Sequence, residues 1–304
     1  MGKGKEKIFK KIGKFVEPYR VVQGGKFRLK DFDPGDTAGL KSDRKPEARE
    51  LLAQGVRWLA EEQNKLYAQD RHSVLLLFQA MDAAGKDGVI RHVMSGVNPQ
   101  GCQVFSFKQP SMEELDHDFM WRYHSRLPER GRIGVFNRSY YEEVLVVRVH
   151  REILERQRIP PDLVTKDIWE QRLEDIAAFE RYLSRQGTTV LKFFLNVSRK
   201  EQKARFMERL DLPEKNWKFS SADVTERGYW DKYMEAYEDA IRRTASREAP
   251  WYVVPADNKW FTRLVVAAVV VDALGRLDLS YPEVGEAGKK ELARARRALM
   301  REGG

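Results

Sequence analysis

Cysteine is almost missing. Cys102 is the only thiol in 304 residues, which excludes an internal disulfide framework and fits a reducing, cytoplasmic setting. Long apolar runs are missing as well. The longest, Leu264 to Val271, is closed by Asp272, well short of the roughly 20 apolar residues a membrane-spanning helix needs. The N-terminal stretch has no apolar core of a secretory signal. Glu6 stands where the N-myristoylation pattern requires Ser or Thr. Internal repeats, low-complexity segments and Pro/Gly/Ser-rich linkers are absent too. The expectation is a single domain over residues 17–284 flanked by two tails, 1–16 and 285–304.

The net charge of +9 is unevenly spread. Residues 1–16 carry six lysines against Glu6, and residues 285–304 carry six Lys/Arg against three Glu. Nearly all the excess therefore sits in the tails, and the body is close to neutral. A high isoelectric point of this kind does not indicate a nucleic-acid surface, and no nucleic-acid-binding module signature is visible. A non-catalytic polyanion binder acting through its tails is the rival from outside the enzymes. Ile8, Phe9, Ile12, Phe15 and Val16 fall near helical spacing, a pattern for packing on another subunit or an anionic surface.

The rest of the chain alternates strands with helices. Helical spacing covers 46–69, 85–95, 162–185, 227–243 and 259–277, and two capping signals, Ser111 with Glu114 and Ser198 with Glu201, open further helices, the first expected to run to about Arg126. Short apolar runs at 73–78, 104–107, 133–136, 188–197 and 251–254 read as buried strands. The stretch 17–43, with GG and DPGD, reads as an irregular arm containing a short hairpin, and 211–226 as an irregular polar segment. Such alternation predicts a parallel, doubly wound α/β sheet with helices on both faces.

Three stretches carry chemistry. LLLFQAMDAAGKDGVI (75–90) is a strand, a glycine turn and a helix, close to the phosphate loop G-x-x-x-x-G-K-[ST] but with Ala80 for the first glycine and Asp87 for the Ser/Thr. A strand feeding a helix N-terminus points backbone N–H groups at an anion. Gly85 and Gly88 permit close approach, and Lys86 neutralises phosphate oxygens. Asp82 and Asp87 would repel that anion unless a cation lies between them, so the loop predicts Mg²⁺, with Asp82 the better ligand. Asp87 has an alternative role as a helix cap. The second stretch, RIGVFNRSYYEEVLVVRV (132–149), ends a strand in Asn137-Arg138, where nucleotide kinases place a metal-binding acid or a phosphate-clamping arginine, and Glu142, Glu143 and Arg148 follow. In the third, residues 202–232, Arg205 and Arg209 share a helix face ahead of Lys215, Lys218 and Arg227. That pattern suits a lid over about 205–230 that closes on phosphates. A solvated charged loop is the plainer alternative.

Together MDAAGKDG (81–88), GVNPQG (96–101), SFKQPS (106–111), FNRSYYEEVL (136–145), RLDLPEKNWKFS (209–220) and APWYVVPADNKW (249–260) resemble family-2 polyphosphate kinases over about residues 18–282. The resemblance implies a P-loop kinase-like fold, with Mg²⁺ (Mn²⁺ as an alternative), inorganic polyphosphate and an adenine nucleotide, guanine being the other option. It also implies a homo-oligomer. Carried over, Asp82, Gly85 and Lys86 look like the modified Walker-A site. Asn137-Arg138 looks like the Walker-B position, which many relatives fill with Asp-Arg. The metal set is then Asp82 with Glu142, and the catalytic set Asp82, Lys86, Asn137, Arg138 and Glu142. The phosphate-binding set is Gly85, Asp87, Gly88, Lys108, Arg148, Arg205, Arg209 and Lys218, and the nucleotide side is Asn98, Pro99 and Glu143. Trp217, Phe219 and Trp230 are further aromatic candidates for that side, although packing is the commoner fate of such residues. The FNRS-x-YE arrangement is similar to the subgroup acting on both AMP and ADP. The rival enzyme is an ATP-dependent nucleoside monophosphate kinase.

Overall fold

The computed structural model describes residues 3–41, 43, 45–217 and 219–302. Its frame is a six-stranded sheet of β1 (Arg20–Val21), β2 (Ser73–Gln79), β3 (Cys102–Ser106), β4 (Ile133–Asn137), β5 (Thr188–Asn196) and β6 (Trp251–Pro255), in the order β1-β6-β5-β2-β4-β3. All neighbours run parallel except β1, which pairs antiparallel with β6. The arm of residues 17–43 thus forms no hairpin of its own. Its extended pair Arg20–Val21 finds partners on the sheet edge, at Tyr252 and Trp251, instead of within the arm.

The central strand explains the architecture. β2 is SVLLLFQ, and all seven residues are buried, as a parallel strand covered on both faces requires. Phe78 stacks on Phe193 of β5 at 4.8 Å between ring centroids. From β2 the chain goes outward to β3, returns to β4, and then crosses to the other side for β5 and β6. β2 is therefore where the winding reverses, and a crevice opens at the carboxyl ends of such strands.

Helix Lys259–Gly275 is apolar nearly all round and packs between helix Lys45–Gln69 and helix Lys3–Val16. Val16 is fully buried there, with Ile12 and Phe15 against the same core. Basic helix Glu286–Arg301 buries no side chain. The helix expected over 111–126 is broken into Met112–Leu115 and Trp121–His124. Asp118 accepts from the Met120 N–H at 2.8 Å, a local bond that competes with helix continuation. The apolar run after Glu142 is helix Glu142–Val149.

A buried ion pair ties β5 to the helices covering it. Lys192 on β5 is wholly buried and donates to Glu180 at 2.5 Å, to the Thr244 carbonyl at 2.8 Å and to the Tyr141 hydroxyl at 3.2 Å. Tyr140 and Tyr141 donate their hydroxyls to the same Glu180 carboxylate. Burial pulls the Lys192 ammonium below its usual range, opposed by Glu180 beside it. Lys192→Met is expected to cost about 3–5 kcal/mol, because Glu180 is left charged and unpaired, read as a lower urea midpoint at unchanged slope. Adding Glu180→Leu should recover most of that loss. A double variant as unstable as the single would refute the ion-pair account.

Candidate active site

At the carboxyl end of β2 the chain turns through Ala80–Gly85 before helix Lys86–Val93 begins. Ala83 (φ 62°) and Gly85 (φ 106°) both adopt left-handed backbone, which glycine does freely and alanine only when held. The holding comes from helix Arg199–Asp211. Gln202 donates to the Asp82 carbonyl at 3.0 Å. Arg205 donates to the Ala83 and Ala84 carbonyls at 3.0 and 2.7 Å, and to those of Ala256 and Asp257 at 2.6 and 3.0 Å. Its Nε–H goes to Glu201 at 2.8 Å. Three consecutive loop carbonyls are turned away from the crevice. Lys86, only 9 % exposed, folds back so that Nζ donates to the Ala80 carbonyl at 2.8 Å, leaving two of its three N–H donors for an anion. Burial, with Arg138 nearby, lowers its pKa.

β4 supplies the opposite wall. Asn137 Nδ2 donates to Asp87 at 2.7 Å. Arg138, at φ 67°, reaches Asp82 at 3.2 Å and Glu142 at 3.3 Å. The Gln79 amide is best satisfied with its nitrogen toward Glu142 Oε1 (2.9 Å) and its oxygen toward Ser139 (3.1 Å). Glu142 is pushed upward in pKa by burial, against the pull of Arg138 and Lys86. Arg138 is raised by Glu142 first of all.

Two cavities meet at the Asp82–Arg138 pair. One, about 550 Å³, is lined by residues 82–88 with Lys108, Asn137, Arg138 and Arg209, and cations outnumber carboxylates there. The other, about 340 Å³, is walled by Glu142, His150, Asp223, Glu226, Tyr233 and Tyr237 beside Asp82 and Arg138, and is acidic and aromatic. Sequence reasoning missed those last five side chains. Tyr233 and Tyr237 at i, i+4 on helix Trp230–Thr244 were the one available signal. His150 bonds Glu226 at 3.0 Å, and Tyr233 donates to Glu226 at 2.8 Å.

The structure thus gathers Asp82, Gly85, Lys86, Asp87, Gly88, Lys108, Asn137, Arg138, Glu142 and Arg209 at one crevice. Lys218 lies outside the described residues. Arg205, expected on phosphate, has all five N–H donors committed to the loop and its surroundings, which holds the loop and leaves no donor over for an anion. Arg148 points away and pairs with Asp239 at 2.6 Å. Glu143 is buried with Tyr123, Gln157 and Arg172. Asn98 caps the Pro99–Gly101 turn, which enters β3 at its amino end, the end of the sheet opposite the crevice. Asn98, Pro99 and Glu143, expected on the nucleotide side, therefore line neither cavity of the crevice. Trp230 is buried packing and Trp217 is exposed.

Among the described residues no group of three or more His, Cys, Asp or Glu forms a metal cage. Asp82 and Glu142 nevertheless converge on one guanidinium, and a hard cation bound through one or two carboxylates plus substrate phosphates needs no more protein donors than these.

Residues 41–280 match the family Polyphosphate kinase 2 (PPK2). The chain is 55% identical over 287 residues to an ADP-polyphosphate phosphotransferase of Rhodopseudomonas palustris, covering 94% of this chain and 99% of that relative. It is 46% identical over 275 residues to an AMP/ADP-polyphosphate phosphotransferase of Meiothermus ruber, covering 90% and 98%. The crystal structure of Polyphosphate Kinase 2 from Arthrobacter aurescens TC1 superposes with a TM-score of 0.82 at 42% identity, covering 92% of this chain and 96% of that one.

Arg205→Lys tests the positioning role. Three ammonium donors cannot serve five fixed acceptors, and displacement of the loop should lower kcat by about 100-fold with a reduced melting temperature. A rise in the KM of the phosphate substrate at unchanged kcat would instead show that Arg205 contacts it.

Proposed function

The chain belongs to the polyphosphate kinase 2 family, and from that premise we propose that it transfers the terminal phosphoryl group of inorganic polyphosphate to ADP, forming ATP, and to AMP as well, forming ADP that a second transfer converts to ATP. The observation that carries the reading is Arg138 bridging Asp82 and Glu142 where a basic cavity meets an acidic, aromatic one. The basic cavity suits the donor's closely spaced charges. The other suits a nucleotide that arrives with its metal ion.

In this assignment an oxygen of the acceptor's terminal phosphate attacks the end phosphorus of the chain. The new P–O bond forms as the bond to the penultimate phosphate breaks, and the shortened chain leaves with the electron pair. No enzyme nucleophile is required. Asp82 and Glu142 would hold Mg²⁺, which supplies charge neutralisation on the phosphates when bound. The loop N–H groups hold the end of the donor chain. Lys86 and Arg138 stabilise the charge on the transferred group, and their partly desolvated setting strengthens that effect. Lys108 and Arg209 guide the rest of the donor, and residues 213–226 form the lid. Inward closure of that lid would bring Asp223 and Glu226 nearer the acceptor, with His150 and Tyr233 holding Glu226.

Purified protein with Mg²⁺, polyphosphate and either ADP or AMP should yield ATP from both acceptors. Transfer from ATP to AMP with no product from polyphosphate would establish the nucleoside monophosphate kinase in its place. Lys86→Ala should lower kcat by about 100- to 1,000-fold. Turnover within a few-fold of wild type would overturn the assignment of Lys86.

A further inference from the structure

A separate cavity of about 360 Å³ lies beside the loop helix. Its walls are the first turns of helices Lys45–Gln69 and Lys259–Gly275, which contribute Lys45, Arg49, Lys259 and Arg263, together with Glu201 and Asp257. Its two carboxylates are already engaged. Glu201 holds Arg205, and Asp257 accepts from the Ser198 N–H at 2.7 Å. The guanidiniums are not. Among the described residues Arg49 and Arg263, and Arg91 next to them, pair with no carboxylate. Arg263 is lowered in pKa by burial and then by the proximity of Arg91 and Arg49. Mutual repulsion of this kind is relieved by a bound anion.

The cluster is continuous with the donor cavity. Gly88 lines that cavity, and a Cβ built on Gly88 would lie 3.9 Å from Arg263 Nη2. Arg91 is three residues further along the same helix, on the neighbouring surface position. A cationic strip therefore runs from Lys86 past Gly88 to Arg263, Arg91 and Arg49. The donor cavity holds the reacting end of a chain, and every further unit of that chain still carries charge.

We propose that Arg49, Arg91 and Arg263 form a second binding site for condensed phosphate, which holds internal units of a long polyphosphate while its end reacts at Lys86. The proposal rests on the polyphosphate reading above. Two linked contacts on one polymer raise apparent affinity without changing chemistry. Chain-length preference is then built into this cluster and not into the catalytic loop.

The test is steady-state kinetics of Arg263→Gln and of the double variant Arg49→Gln/Arg91→Gln, with long-chain polyphosphate and with the shortest chain that wild type accepts. The expected result is a KM for long chains raised on the order of tenfold, with kcat and the short-chain KM unchanged. Arg263→Lys should retain most of the affinity. The salt dependence of long-chain binding should be shallower in the glutamine variants, since fewer counterions are released. An equal rise in KM for both chain lengths, or no change in either, overturns the proposal. A change confined to the nucleotide KM would assign the cluster to the nucleotide's phosphates and also overturn it. Melting temperatures report whether any variant is misfolded, and the single variants Arg49→Gln and Arg91→Gln, at exposed positions, carry the test if Arg263→Gln or the double variant is. Wild-type protein inactive with polyphosphate of every length would defeat the functional reading itself, an outcome separate from all of these.

Discussion

The site depends on the direction in which three peptide groups face. The Asp82, Ala83 and Ala84 carbonyls are held toward helix Arg199–Asp211 by Gln202 and Arg205, so the crevice side of the loop presents N–H groups in place of oxygens. Without that clamp Ala83 would have no reason to remain at φ 62°, because left-handed backbone is unfavourable for any residue with a Cβ. Arg205 also binds the Ala256 and Asp257 carbonyls past the end of β6. One buried guanidinium thus joins the ends of β2 and β6 through a helix that follows β5. A lysine has too few donors and the wrong shape for that position.

Charge placement around the loop follows from the same economy of partners. The departure from the usual Asp-Arg pair at Asn137 is matched by Asp87, which receives the Asn137 amide at 2.7 Å. An aspartate at 137 would face the Asp87 carboxylate with no donor between them, and like charges so near each other disfavour ionisation of both. Asp87 stands in the first turn of the loop helix, where the helix dipole favours a carboxylate. Arg138 can then turn to Asp82 and Glu142. The buried pair Glu180–Lys192 keeps that geometry from drifting. Ser139 is followed directly by Tyr140 and Tyr141, whose hydroxyls end on Glu180. The turn carrying Arg138 is thereby fastened to the helix Ile168–Arg185 and to β5.

What the sequence disclosed was local. A buried strand, a glycine turn and Lys86 within a dozen residues announce a phosphate site, since that chemistry is built from neighbours in the chain. The five parallel strands were legible from apolar runs alternating with helical spacing, whereas the antiparallel edge strand β1, two residues long, was not. What was missed depended on rotation and on which end of the sheet a segment occupies. Glu142 and Glu143 are adjacent, yet successive helix positions are turned by about 100°. One faces the cavity, and the other is enclosed by Tyr123, Gln157 and Arg172. Asn98-Pro99 has the composition of a binding turn, but in a parallel sheet it must enter β3 at the end away from the crevice. The order of turn before strand already implies that end once the sheet is read as parallel.

Arg205 and Arg209 give the sharpest form of this ambiguity. They are one turn apart on one helix face, and both looked like phosphate ligands. Arg205 meets the loop backbone and is 5 % exposed. Arg209 stands one turn further along, where it lines the donor cavity and pairs with Asp223 at 3.5 Å. The Asp223 carboxylate is raised in pKa by burial and by Asp82 across the acidic cavity. Arg209 therefore lines the basic cavity with its guanidinium and reaches the acidic one through its partner. This half-buried pair joins the two cavities, while Arg205, fully bonded beneath it, keeps the loop fixed.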